Sequence, residues 1–221
     1  MSRKILMLHG LAQSGEYFHS KTKGFRTELE KLGYTLYYAT APNKYPAADL
    51  PDYESDITTN SNEVLAWLEN DAINKTYSLP QTTLNYIHDL CINEGPFEGI
   101  VGFSQGAGLA GYLATDFNGL LNLTVEQQPK LKFIIFVSGF RFKPEKYQLQ
   151  YDEHLITIPT LHVQGELDTV SEPEKVQALL GCCEDGTKTH LMHSGGHFVP
   201  NSRGFLKKVT AWLKSVDPAL E

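Results

Sequence analysis

The chain has 221 residues, of which 41% are hydrophobic and 20% charged, a composition that is ordinary for one globular domain and excludes a disordered or fibrous protein. Its 26 acidic residues outnumber its 19 basic residues and give a formal net charge of −7 at pH 7. Because a surface of that sign repels phosphate backbones, the charge argues against nucleic acid as a partner.

Short apolar runs alternate along the chain with amphipathic stretches. The predicted strands, in chain order, are Lys4–Leu8, Tyr34–Ala39, Phe97–Phe103, Leu131–Val137, Thr160–Gln164 and Thr189–Met192. The predicted helices between and after them are Gly24–Leu32, Glu63–Glu69, Thr82–Asn93, Gly106–Phe117, Glu174–Leu180 and Arg203–Val216. This alternation is typical of right-handed crossovers that build a parallel sheet. We therefore predict an α/β fold over residues 1–221, with a mostly parallel sheet and helices on both faces.

Two irregular segments, residues 42–80 and 141–155, interrupt the alternation. In an open parallel sheet, ligands bind beyond the carboxyl ends of the strands. We predict that both segments are insertions at the substrate edge, with plain surface loops as the alternative.

The sequence also indicates where the protein resides. The longest apolar run near the start, Ile5–Leu8, is far too short for a signal-peptide core or a membrane span. Three cysteines, two of them adjacent, make no disulfide framework. We predict a cytoplasmic protein in a reducing compartment, without a membrane span.

The stretch from Gly102 to Gly111 contains two overlapping glycine patterns. Its first half, GFSQG, is the G-x-S-x-G turn that carries a serine nucleophile between a strand and a helix. Its second half, GAGLAG, is the G-x-G-x-x-G pattern of dinucleotide sites. A dinucleotide site needs an acidic residue at the end of the next strand, but Asp116 lies in a predicted helix and Glu126 in a polar connection. The serine interpretation is therefore favoured.

A serine nucleophile needs a nearby imidazole as its base, and the imidazole needs a carboxylate to orient it. In α/β-hydrolases the order along the chain is serine, acid, histidine, each near the end of a strand. Ser104, Asp168 and His197 follow that order and are the predicted nucleophile, acid and base. Glu166 and His193 are the alternatives for the acid and the base.

Three histidines and two cysteines lie close together along the chain and make a metal site an alternative: His190, His193, His197, Cys182 and Cys183. Two consecutive glycines before His197 break any helix that would place two histidines on one face, as zinc proteases require. We therefore predict neither a metal nor an organic cofactor.

The oxyanion hole of this architecture uses the N–H after the nucleophile and a second N–H from the loop after an early strand. These donors fall on Gln105 and Leu11, with a mere turn at His9-Gly10 as the alternative. Leu11, Phe140, Val170 and Phe198 adjoin strand-end loops and are candidates for the substrate pocket. Ordinary core packing is the alternative for each.

Five segments, LHGLAQSG, GIVGFSQGAGLAGYLA, FIIFVSGF, HVQGELD and HSGGHFVPN, together resemble the fungal FSH family of small serine hydrolases and its animal relatives, the ovarian-tumour-associated serine hydrolases. The resemblance extends from Lys4 to about Leu213. It implies a compact α/β-hydrolase without a large cap domain, and it places the catalytic serine, acid and histidine at Ser104, Asp168 and His197. Related fungal members serve as carboxylesterases or thioesterases, and the resemblance implies an activity of that kind.

The residues and the resemblance together predict a serine hydrolase that cleaves carboxylic esters of small or acyl-chain substrates through an acyl-enzyme. The partner is then a small-molecule ester or thioester. An acyl thioesterase and a catalytically idle binding module are the alternatives.

Overall fold

A computed structural model gives the fold and describes residues 3–46, 63–71, 74 and 76–220. The strands are β1 (Arg3–Leu8), β2 (Tyr34–Ala39), β3 (Asn43–Pro46), β4 (Glu63–Ala66), β5 (Glu69–Asp71), β6 (Thr76–Ser78), β7 (Gly99–Phe103), β8 (Phe133–Val137), β9 (Thr160–Gly165) and β10 (Lys188–His193). The helices are α1 (Gly15–Lys21), α2 (Lys23–Lys31), α3 (Gln81–Asn93), α4 (Gln105–Leu113), α5 (Phe117–Leu120), α6 (Gln148–Glu153), α7 (Pro173–Leu180) and α8 (Arg203–Val216). Short 3₁₀ turns cover Glu145–Tyr147 and Pro218–Leu220.

Six strands form one parallel sheet in the order β10-β9-β8-β7-β1-β2. β8 reads FIIFV and is buried along its whole length, as a strand covered on both faces must be. Its successive residues alternate between two apolar clusters, with Ile134 facing α3 and α4 and Ile135 facing α2 and α8. The predicted parallel sheet with helices on both faces is confirmed.

The predicted helix Glu63–Glu69 is wrong, because β4 and β5 occupy this stretch. β4 pairs antiparallel with β3, with Asn43 opposite Ala66. A short apolar run does not by itself separate a helix from a strand, and here the pairing with β3 satisfies the backbone of β4. Of the segment 42–80, residues 47–62, 72, 73 and 75 lie outside the described residues, and its place at the substrate edge stays a prediction.

The other boundaries differ by smaller amounts. The predicted helix Gly106–Phe117 is two helices, α4 and α5, and the Asp116 side chain caps the second by accepting from the Gly119 N–H. Within residues 141–155, α6 and the preceding 3₁₀ turn pack Tyr147 and Tyr151 against Tyr112.

In the described ranges, no helix combines the length and the apolar character that a membrane crossing requires.

The parallel direction of the strands places one set of loops along a single edge of the sheet. The loops that follow β1, β7, β9 and β10 carry Leu11, Ser104, Asp168 and His197 respectively. Among the described residues, no large cap domain covers this edge. The candidate site therefore lies where these four loops meet.

Candidate active site

Ser104 occupies a sharp turn between β7 and α4, with backbone angles φ 51° and ψ −114°. A non-glycine residue in such a conformation costs about 1–3 kcal/mol and needs support from its surroundings. The two flanking glycines make the turn possible. A Cβ on Gly102 would lie 2.6 Å from the Gly106 carbonyl oxygen, and a Cβ on Gly106 would collide with the Leu8 and His9 carbonyls. The G-x-S-x-G spacing is therefore required by the backbone packing of this turn.

His197 joins the serine to the acid. Its Nε2 lies 2.9 Å from Ser104 Oγ, and its Nδ1 lies 2.9 Å from Asp168 Oδ2 and 3.1 Å from Oδ1. A carboxylate can only accept a hydrogen bond, so Nδ1 carries the proton in the neutral imidazole and Nε2 faces the hydroxyl as an acceptor. The ring of Phe103 packs beside this imidazole at a centroid distance of 4.9 Å. The three predicted side chains thus form one continuous hydrogen-bonded chain.

Asp168 is held by four hydrogen-bond donors. Besides His197, the Ser138 hydroxyl donates to Oδ2 at 2.7 Å, and the N–H groups of Val170 and Ser171 donate to Oδ1 at 2.9 and 2.7 Å. Burial by itself would raise the pKa of Asp168, but the hydrogen bonds from His197, Ser138 and Ser171 outweigh it and lower the pKa below its usual range. The carboxylate is therefore ionised at neutral pH.

The alternative acid and base have other surroundings. The side chain of Glu166 is exposed. The His193 ring packs against Phe198 and Phe205, and its Nδ1 accepts from the Gly195 N–H at 3.2 Å. Neither side chain has a hydrogen bond to Ser104 or His197 in the described part of the chain.

The residues considered for a metal site are also dispersed. His190 Nε2 lies 3.1 Å from Gln164 Oε1, and Cys182 and Cys183 are buried free thiols. Cys183 Sγ lies 3.4 Å from His162 Nε2, and burial raises the pKa of this thiol to about 11. No group of three or more His, Cys, Asp or Glu side chains within the described ranges could hold a metal ion.

The two candidate oxyanion donors lie in the first turn of α4 and in the loop after β1. Gln105 is the first residue of α4, so its N–H has no acceptor within the helix. The Leu11 N–H likewise has no acceptor among the described residues. The buried His9 shapes the loop before it. Its Nδ1 donates to the Gly10 carbonyl at 2.7 Å, while its Nε2 accepts from the Ala41 N–H at 3.0 Å.

His9 is therefore a fixed, neutral part of this loop. Burial lowers the pKa of His9 to about 4, although its hydrogen bond to the Gly10 carbonyl opposes the shift. An uncharged imidazole at neutral pH keeps both of its hydrogen bonds with one donor and one acceptor nitrogen.

The candidate pocket residues have different settings. The Phe140 ring lies against Gly108 of α4 and near Tyr77. Val170 is half-buried, and its N–H is the group that binds Asp168. The Phe198 side chain is 49% exposed and packs on His193. Their part in substrate binding stays a prediction.

Sequence reasoning missed the roles of two side chains next to the site, those of Ser138 and Gln105. The Ser138 hydroxyl supports Asp168 from the end of β8. The Gln105 side chain accepts hydrogen bonds from the N–H groups of Trp67 and Leu68 at 2.7 and 3.4 Å. These contacts join residues 30 to 38 positions apart, and no local sequence pattern predicts them.

Comparison with known proteins shows which proteins this chain resembles. A family model described as "Serine hydrolase (FSH1)" matches residues 1–209. "Family of serine hydrolases 2" of Saccharomyces cerevisiae is 61% identical over 222 residues, covering 98% of this chain and 100% of that protein. "Esterase OVCA2" of Danio rerio is 30% identical over 225 residues, which is 96% of each chain. The crystal structure of Zea mays acyl-protein thioesterase 2 is similar with a TM-score of 0.62 and 19% identity, over 100% of this chain and 94% of that one. At that identity the likeness shows the fold alone, which is that of an α/β-hydrolase.

Proposed function

The chain belongs to the FSH family of serine hydrolases, and from that premise we propose that it is an esterase with Ser104 as nucleophile, His197 as base and Asp168 as acid. Its substrates are carboxylic esters of small or acyl-chain acids. The observation that carries the proposal is the hydrogen-bonded chain from Ser104 Oγ through His197 to Asp168. The name of the 30% identical esterase relative supports the choice of esters.

The first half of the reaction acylates the enzyme. Ser104 Oγ attacks the ester carbonyl carbon while His197 Nε2 takes the hydroxyl proton. The carbonyl electron pair moves to the oxygen, and the N–H groups of Leu11 and Gln105 stabilise that oxyanion. When the tetrahedral intermediate collapses, His197 returns the proton to the departing alcohol. The acyl group is then bonded to Ser104 Oγ.

The second half releases the acid. A water molecule loses a proton to His197 Nε2 and attacks the acyl carbonyl carbon. Collapse of the second tetrahedral intermediate breaks the bond to Ser104 Oγ, and His197 returns the proton to that oxygen. Throughout, the ionised Asp168 orients the ring and stabilises its protonated form without taking the proton itself.

Covalent labelling tests the proposal. A fluorophosphonate should label wild-type protein at Ser104, and p-nitrophenyl esters should be turned over. Ser104→Ala should lose both while retaining its melting temperature, whereas Ser20→Ala, at an exposed position of α1, should lose neither. Folded wild-type protein that is neither labelled nor active would contradict the proposal and favour an idle binding module.

The same machinery accepts a thioester, so the substrate class needs its own comparison. Acyl-coenzyme A and p-nitrophenyl esters of matched chain length should be assayed side by side. We expect a higher kcat/KM for the esters, and a clear preference for the thioester would replace the esterase by a thioesterase.

A further inference from the structure

Residues 64–68, which we call the 64–68 segment, contact both stretches of chain that carry the proposed oxyanion donors. We infer that Trp67 and the Gln105 side chain are positioning residues, which use the 64–68 segment to hold the Leu11 and Gln105 N–H groups at a constant separation. The inference rests on the proposed function, because it concerns the donors of that reaction.

The first set of contacts holds the loop after β1 on both sides of Leu11. The Leu65 carbonyl accepts from the Ala12 N–H at 3.0 Å. The Trp67 indole Nε1–H donates to the His9 carbonyl at 2.9 Å, and its ring lies 5.0 Å from the His9 imidazole. Ala12 has a φ of 61°, a left-handed conformation that a non-glycine residue keeps only with such support.

The second set of contacts holds the turn after β7. Gln105 Oε1 accepts from the Trp67 N–H at 2.7 Å and from the Leu68 N–H at 3.4 Å. The Gln105 side chain is almost fully buried, so the loss of this acceptor would leave buried N–H groups unpaired. One residue therefore contributes a proposed oxyanion donor from its backbone and the tether of that donor from its side chain.

The 64–68 segment is itself anchored to the body of the fold. Thr83 Oγ1, on α3, donates to the Trp67 carbonyl at 2.6 Å. Asn43 Nδ2, on β3, donates to the Ala66 carbonyl at 3.0 Å. Because the segment is fixed at a third point, it can restrain the two loops relative to each other instead of moving with either one.

The kinetic consequence follows from what an oxyanion hole does. Its donors must lie about 2.7–3.1 Å from the oxygen in the transition state, where the charge has developed. Loosening them weakens transition-state binding more than substrate binding, so kcat falls while KM changes little. A misplacement of about 1 Å can cost about 100-fold in rate.

The test compares Gln105→Met and Trp67→Phe with two matched controls. Gln128 is another buried glutamine whose Oε1 accepts a backbone N–H, from Phe97 before β7, at the opposite end of the sheet. Trp212 packs on the other face of the sheet, against Phe133. Gln128→Met and Trp212→Phe therefore disturb buried packing without touching the 64–68 segment.

Each protein is assayed on a p-nitrophenyl ester and on the corresponding thionoester, in which the carbonyl oxygen is sulfur. Well-placed N–H donors favour oxygen, because the larger sulfur accepts hydrogen bonds weakly. We expect Gln105→Met and Trp67→Phe to lower kcat on the ester by about 10- to 100-fold, with KM within about twofold, and to lower the ester-to-thionoester rate ratio. Both controls should keep the wild-type ratio, whatever they do to the melting temperature.

The outcomes separate the two proposals. Wild-type protein that a fluorophosphonate does not label overturns the proposed function. If wild-type protein is labelled and active, an unchanged ester-to-thionoester rate ratio in Gln105→Met overturns the positioning role, even when both turnovers fall by the same factor. Should Trp67→Phe fail to fold, Gln105→Met decides the question alone.

Discussion

Lowering the pH from 7 to 5 is expected to destabilise the fold through two buried histidines, His9 and His162. Their side chains are 0% and 1% exposed. Burial lowers the pKa of His9 to about 4 and that of His162 to about 3, the latter with help from the positive charges of His190 and Lys188. In the unfolded chain a histidine has a pKa of about 6.5.

The sign and size of the effect follow from these pKa values. Because both pKa values are lower in the folded state, the unfolded state binds more protons below about pH 6.5, and the free energy of unfolding falls as the pH falls toward 4 and 3. The slope approaches about 1.4 kcal/mol per pH unit for each histidine. Between pH 7 and 5 this amounts to about 2 kcal/mol each, or about 4 kcal/mol together. Burial also lowers the pKa of His190 and His193, which adds to the loss in the same direction.

Urea unfolding at pH 7 and pH 5 measures the loss directly. In His162→Leu the share of that residue disappears, so the loss between the two pH values should shrink by about 2 kcal/mol. Phe136→Leu is the matched control, because its ring lies 4.9 Å from the His162 imidazole but does not titrate. It should lower the free energy of unfolding equally at both pH values. A His162→Leu protein with the wild-type pH dependence would refute the reasoning.

Three further predictions concern the site. Asp168→Asn should lower kcat on p-nitrophenyl esters by about 10⁴-fold, because an amide favours the wrong tautomer of the His197 imidazole. A loss below about tenfold would contradict Asp168 as the acid and favour Glu166. Ser138→Ala removes a hydrogen bond to a carboxylate and should lower the free energy of unfolding at pH 7 by about 1.5–3 kcal/mol in urea; an unchanged value would contradict the support assigned to Ser138. Gly106→Ala would place a Cβ 2.6 Å from the His9 carbonyl oxygen and should cost at least about 1–3 kcal/mol, measured by thermal unfolding. Gly204→Ala, where a Cβ meets nothing within 4 Å, is its control and should not destabilise.

The sequence predicted the parts of the fold that depend on long, regular patterns. The central strands β7 and β8 were recognisable because strands buried on both faces are continuously apolar. The edge strands β2 and β10 are only partly buried and were recognisable from their place in the alternation of strands and helices. The stretch Glu63–Glu69 was misassigned because its partner, β3, lies some 20 residues earlier and cannot be found from local periodicity. Only the pairing of the two strands decides that this stretch is extended.

The amino-acid sequence by itself indicated the turn at Ser104, because small residues two positions before and after it are a local steric requirement. It also indicated the chain order of the predicted serine, acid and histidine, because that order is read along the chain without any distance between atoms. Tertiary structure alone decided that the Ser138 hydroxyl supports Asp168 and that Trp67 joins the Gln105 side chain to the loop after β1. A hydrogen bond depends on distances of about 3 Å between atoms whose residues are far apart in the chain, and only the packing of strands and loops sets those distances.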